Sequence, residues 1–123
     1  MDSSITIIGS LGRDPELVFT AKGGALCSFT VATSRRYKQN DEWVEKTAWV
    51  DVTAFGTLAE NIAASITKGC RVIVTGTVDQ DEWEDKETGK KRTKLKILAD
   101  GVGAELRWAR VEIEKVERER SGG

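Results

Sequence analysis

Two segments of this chain interleave aromatic rings with cations. Arg35, Arg36 and Lys38 flank Tyr37, and Trp83 shares a stretch with Lys86, Lys90, Lys91, Arg92, Lys94 and Lys96. A π-face can stack on another flat ring, and a nearby ammonium or guanidinium can hold an anion. Together they suit a ligand that alternates rings with phosphates, such as a single nucleic-acid strand. Any one of these lysines, taken alone, is better accounted for by a solvated surface.

A third segment carries rings for a different reason. Strand side chains alternate between faces, so Ala48, Val50, Val52 and Ala54 form one small apolar face. The opposite face carries Trp49, Asp51, Thr53 and Phe55. With the apolar set inside, two large rings stand outside among polar neighbours. Nucleobases would cover them, and so would another subunit or a loop; the pattern alone leaves both open.

Other chemistries find little support. The chain has no His, which excludes histidine-based catalysis and histidine metal sites. Gly23-Gly24 is too short for a phosphate loop, and Gly101-Val102-Gly103 lacks a following helix pattern. The carboxylate pairs Asp81/Glu82 and Glu84/Asp85 have no nucleophile or metal ligand beside them. A non-catalytic protein without cofactor or metal is expected. Cys27 and Cys70 lie in apolar strand-like runs and read as reduced, buried thiols, with a disulfide left open. The net charge of −1 gives no general attraction for nucleic acid, so local placement of cations must supply it.

The elements that must position these residues are mostly strands. A first strand covers residues 3–10, a short extended piece 16–20, and a longer strand 25–34 with Cys27, Phe29 and Val31 on one side. Residues 35–46 read as a projecting hairpin arm around Asn40-Asp41, leading into the strand 47–55. One helix follows. Thr57 and Glu60 match a capping box, Leu58, Ile62 and Ile66 share a face, and Lys68-Gly69 reads as the stop. Residues 70–78 are strongly β, and Thr88-Gly89 turns 81–87 back into 91–99. Five short strands with a helix between the third and fourth predict an all-β, five-stranded OB-fold barrel with long hairpins. The tail at 106–120 fits a strand or a helix by periodicity. No signal peptide and no apolar run of ~20 residues is found, so a soluble, cytoplasmic protein without a membrane partner is expected.

Several motifs, in order and at sensible spacing, resemble those of the bacterial single-stranded DNA-binding protein family, and they span most of residues 3–104. Ile7-Ile8-Gly9-Ser10-Leu11-Gly12-Arg13-Asp14-Pro15-Glu16-Leu17 resembles its opening strand and turn. Phe29-Thr30-Val31-Ala32-Thr33-Ser34 is similar to its second strand, and Trp49 through Phe55-Gly56-Thr57-Leu58-Ala59-Glu60-Asn61 to its third strand and helix start. Lys68-Gly69-Cys70-Arg71-Val72-Ile73-Val74-Thr75-Gly76 resembles the run into its fourth strand.

The resemblance implies sequence-independent binding, coating and protection of single-stranded DNA in replication, recombination and repair, by a bacterial, nucleoid-associated homotetramer built as a dimer of dimers. It implies stacking roles for Tyr37, Trp49, Phe55 and Trp83, and phosphate contacts for Arg35, Arg36, Lys38, Lys68, Lys91 and Arg92. Leu106-Arg107-Trp108-Ala109-Arg110-Val111 resembles the extra C-terminal strand of actinobacterial members, which makes Trp108 a subunit-interface residue. The domain division implied is 1–104 for the DNA-binding domain, 105–116 for an interface strand and 117–123 for a flexible end.

Three departures bear on function. Asp79, Asp81 and Glu82 precede Trp83 where many relatives are basic, and Asp51 places a negative charge between Trp49 and Phe55. Family members also carry a long tail with an acidic tip ending in Pro-Phe, which recruits other enzymes. These residues end Arg118-Glu119-Arg120-Ser121-Gly122-Gly123. A truncated form and a tailless paralogue or phage form both fit that ending, and recruitment through an acidic tail is not expected from it. A protein-interaction OB module of a replication or primosome complex, and an RNA-binding OB domain, are the alternative readings.

Overall fold

A computed structural model describes residues 4–117. The chain forms β1 (Ser4–Leu11), β2 (Glu16–Phe19), β3 (Ala25–Gln39), β4 (Glu42–Phe55), α1 (Gly56–Ser65), β5 (Arg71–Glu84) and β6 (Lys91–Ala104). Alternation explains β3 directly: Ala25, Cys27, Phe29 and Val31 are buried, and Leu26, Ser28 and Thr30 between them are partly exposed. Past Ser34 the side chains are polar, yet the ladder continues to Gln39 opposite Glu42. Asn40 and Asp41 close it with φ of 51° and 64°, the positive values that a two-residue hairpin turn needs. The arm is therefore a regular ribbon beyond the core.

The strands run in the order β1-β5-β6-β4-β3-β2. β1 also pairs with β3 through Ser10 opposite Ala32 and Leu11 opposite Val31, which closes the sheet into a barrel. β4 and β6 run parallel where Val52 meets Ile97 and Thr53 meets Leu98. This is the five-stranded OB barrel expected; the sixth strand is β2, which pairs with β3 alone. Phe29, Val31, Val52, Val72, Val74 and Ile97 fill the interior, and α1 adds Ala59 and Ile62. Cys27 and Cys70 are both free thiols, Cys27 fully buried and Cys70 partly so. Burial pushes the Cys27 thiol pKa up.

Three expectations are corrected. The capping box does not form, because the helix starts earlier: extended Phe55 is the N-cap, no side chain caps it, and the chain turns at Gly56 with φ of 68°. Thr57 thus falls inside the first turn. The helix ends at Ser65 with Ile66 as C-cap, so Lys68-Gly69 belongs to the next turn rather than to the helix stop. Ala48 is exposed, because the apolar face of β4 leaves the core at Val50. Residues 105–117 carry no strand within the single chain, and the interface strand expected there would pair on a neighbouring subunit. A strand needs a neighbouring edge for its backbone hydrogen bonds, and among the described residues none is paired with this segment. Of the expected flexible end at 117–123, all but Glu117 lies outside the described residues.

Candidate nucleic-acid interface

β4 sets out the rings. Trp49 is 64% exposed and Phe55 54%, while Val52 and Ala54 are in the core. Small residues make room for the indole. Ala32 lies opposite it on β3, and a Cβ at Gly12 would stand 2.6 Å from Trp49 Cζ3. The ring therefore rests over the backbone just past β1. Gly12→Val is expected to push the indole off this seat and weaken strand binding several-fold. Its thermal midpoint should stay close to wild type, because the obstructed atoms belong to a half-free side chain. Paired melts and binding titrations check this; unchanged affinity would show that the seat does not hold the ring for binding.

Between the rings lies an ion pair. Asp51 accepts a hydrogen bond from the Thr30 hydroxyl at 3.1 Å and pairs with the Lys94 ammonium of β6. The Lys94 hydrogen bond, outweighing the desolvation that opposes it, holds the Asp51 carboxyl below its ordinary range, with Thr30 and Arg13 assisting. Lys96 pairs with Asp81 at 3.1 Å. Arg13, Phe29, Asp51, Phe55, Lys94 and Lys96 line a groove of about 400 Å³. Two of its three cations are thus already held by carboxylates, and phosphate must compete for them. Asp51→Asn is expected to release Lys94, raise affinity a few-fold and steepen the salt dependence by about one phosphate contact. A log–log plot of affinity against salt reads this directly; an unchanged slope would mean Lys94 never meets a phosphate.

The same pair acts on stability in a defined direction. A depressed carboxyl pKa in the folded state contributes stability that is present above the unfolded aspartate value. That contribution is lost as pH falls through the depressed folded value. Asp51→Asn should remove it.

The second hairpin joins this face. Asp79, Asp81 and Trp83 on β5 stand opposite Lys96, Lys94 and Arg92 on β6. Asp79 and Asp81 before Trp83 are therefore met by cations across the ladder, whereas Glu82 stands opposite Thr93. Trp83 is 48% exposed, and the Lys94–Asp51 bridge connects its face to that of Trp49 and Phe55. Arg92 is also paired with Asp85 at 3.2 Å. Lys91 stands opposite Glu84, on the alternate face of this ladder.

The first arm divides the expected residues. Tyr37 is opposite Val44, and the Arg35 guanidinium lies 5.3 Å from its ring centre. Alternation puts both on the face away from Trp49, whereas Arg36 and Lys38 share the Trp49 face. Lys68 sits in the turn after α1, where its backbone N–H donates to Asp14 Oδ1 at 2.8 Å. That turn adjoins the segment carrying Gly12, beneath Trp49. Trp108 is 78% exposed on the strandless segment, with Arg107 at 5.4 Å from its ring centre. The Asp51–Lys94 pair has no local sequence signal, since its members lie on β4 and β6, and Trp43 on the first arm is a further exposed ring. The β4 alternation, extended backward from Trp49, places Trp43 on the same face.

Comparison with known proteins agrees with this architecture. The model of the single-strand binding protein family matches residues 2–105. The single-stranded DNA-binding protein of Mycobacterium leprae is 42% identical over 125 residues, spanning 99% of this chain and 73% of that protein. That of Paenarthrobacter aurescens is 38% identical, over 99% of this chain and 72% of its own length. The crystal structure of a small single-stranded DNA-binding protein from Streptomyces coelicolor superposes with a TM-score of 0.72 at 26% identity, covering 86% of this chain and 96% of that one. With a closed barrel, exposed rings on the third barrel strand and a match over most of its length, this chain belongs to the single-strand binding protein family.

Proposed function

We propose that this protein binds single-stranded DNA without reading its sequence, stacking bases on Trp49 and Phe55 and meeting phosphates with the cations around them. The observation that carries this reading is the exposure of both rings on one strand face, over a groove that holds lysines. Every base has a π-face, so such a platform tolerates any sequence. Trp83 extends the platform along the second hairpin, and Tyr37 with Arg35 serves the outer side of the first arm. Arg36, Lys38, Lys68, Lys91 and Arg92 are the further phosphate contacts. The family relationship supports the same ligand.

The assembly belongs to the same proposal. The chain acts as a homotetramer, a dimer of dimers, in which residues 105–116 find a strand partner on a neighbouring subunit and Trp108 is covered there. The exposed Trp108, Val111 and Ile113 of the single chain support this, since apolar side chains on a strandless segment gain by burial. A cytoplasmic coat on exposed strands during replication, recombination and repair fits these properties.

Tryptophan fluorescence titrated with poly(dT), poly(rU) and duplex DNA at two salt concentrations tests the binding. Strong quenching by poly(dT), weaker quenching by the others and loss with salt are expected. Unchanged emission with every ligand would overturn the stacking reading. Sedimentation of Trp108→Ala tests the assembly: a smaller species is expected, and an unchanged one would remove Trp108 from the interface.

A further inference from the structure

The register of the first arm brings out a ring that the stacking set above omits. Residues directly opposite in an antiparallel ladder share a face, and faces alternate along each strand. From Phe55 and Trp49, steps of two lead back along β4 to Thr47, Glu45 and Trp43. β3 places Ala32, Ser34, Arg36 and Lys38 opposite Trp49, Thr47, Glu45 and Trp43. Side-chain contacts across the ladder agree, joining Thr30 to Asp51, Ser34 to Thr47 and Arg36 to Trp43. Trp43 is 64% exposed, as open as Trp49. The Arg36 guanidinium lies 5.4 Å from its ring centre, and most of the indole remains open. Six residues of strand put it about 20 Å from Trp49. The twist of a two-stranded ribbon carries the face around the arm, a path that a flexible single strand can follow.

We propose that Trp43, with Arg36 and Lys38, forms a further nucleobase subsite at the outer end of the arm. A base stacks on the open indole face, and the adjoining phosphate lies toward Arg36 and Lys38 on the β3 side, away from Glu45. Charge complementarity and continuity with the Trp49 face identify the occupant as the same strand. This rests on the single-strand binding proposed above and lengthens its footprint.

A protein carrying Trp49→Phe, Trp83→Phe and Trp108→Phe keeps a ring at each place and leaves Trp43 as its one tryptophan. Its emission is expected to fall on titration with oligo(dT) of about 30 nucleotides, with binding followed separately by anisotropy of the labelled strand. Emission that stays constant while anisotropy rises overturns the subsite. Trp43→Ala should weaken that strand about tenfold, with Trp43→Phe restoring it, and should leave a strand of about 6 nucleotides little affected. Equal loss at both lengths, no loss at either, or dissociation of the assembly overturns it, the last by making Trp43 a contact between copies. Failure of the underlying reading looks different: the labelled strand then does not bind the wild-type protein at all.

Discussion

Trp49→Ala is expected to weaken binding of oligo(dT) by roughly 1–3 kcal/mol, a loss of about 5- to 150-fold, without altering the assembly. The size follows from what the ring touches. Its inner edge rests over Gly12 and beside Ala32, while 64% of the residue is open. Truncation therefore removes a stacking surface and little packing, so the melting temperature should hardly move. Phe55→Ala should cost a similar amount, and the two losses should add approximately, because six residues of strand separate the rings and no side chain bridges them directly. Trp49→Phe should recover most of the affinity, since a smaller π-face still stacks. Equilibrium titration with sedimentation on the same samples checks each point. An oligomer that falls apart on Trp49→Ala would make the indole an interface anchor and move the binding platform elsewhere.

Much of this architecture was legible in the residues for an identifiable reason. β3 and the inner half of β4 each have one face in the core, so period-two alternation marks Cys27, Phe29, Val31, Val52 and Ala54 as interior and Trp49 and Phe55 as exterior. The arm was legible through Asn40-Asp41, a pair that tolerates positive φ. Where a local signal competed with a neighbour, it misled. Thr57 and Glu60 have the spacing of a capping box, but Gly56 turns the chain first and places Thr57 inside the helix. Periodicity leaves residues 106–120 open between strand and helix, because a strand is a relation between two edges and local pattern shows only one of them.

The electrostatics were less legible than the rings. Asp51 and Lys94 are far apart in sequence and meet because β4 and β6 run parallel at Val52 and Ile97. Nothing local to either residue shows this. The acidic run before Trp83 likewise reads as hostile to phosphate until the ladder sets Lys94 and Lys96 across from Asp81 and Asp79. On the proposed function, an incoming phosphate would then replace a carboxylate rather than fill an empty cationic groove. That replacement predicts a salt dependence shallower than the number of nearby lysines would give, because each paired lysine contributes only part of a contact.

Gly9→Ala is expected to cost about 3 kcal/mol of stability, lowering the melting temperature on the order of 10 °C. Gly9 pairs with Val72 of β5 on one side and approaches β3 on the other. A Cβ there would stand 2.3 Å from the Ala32 carbonyl oxygen and 2.7 Å from Val31 Cγ1. The first obstacle is backbone, so no rotamer change relieves it. The β1–β3 seam has two pairs, Ser10–Ala32 and Leu11–Val31, and both lie beside the obstruction. Opening the seam would expose Leu11 and Val31, at present 2% and 0% accessible. It would also shift Ala32, which stands opposite Trp49, so binding should fall along with stability. Gly103→Ala is the control, since a Cβ there meets nothing within 4 Å. It should stay within about 0.5 kcal/mol of wild type. Melts at one fixed protein concentration decide the matter, because an oligomer's midpoint depends on concentration. Should Gly9→Ala melt within about 2 °C of wild type, the seam must yield to an added methyl group, and barrel closure would not be what seats Trp49.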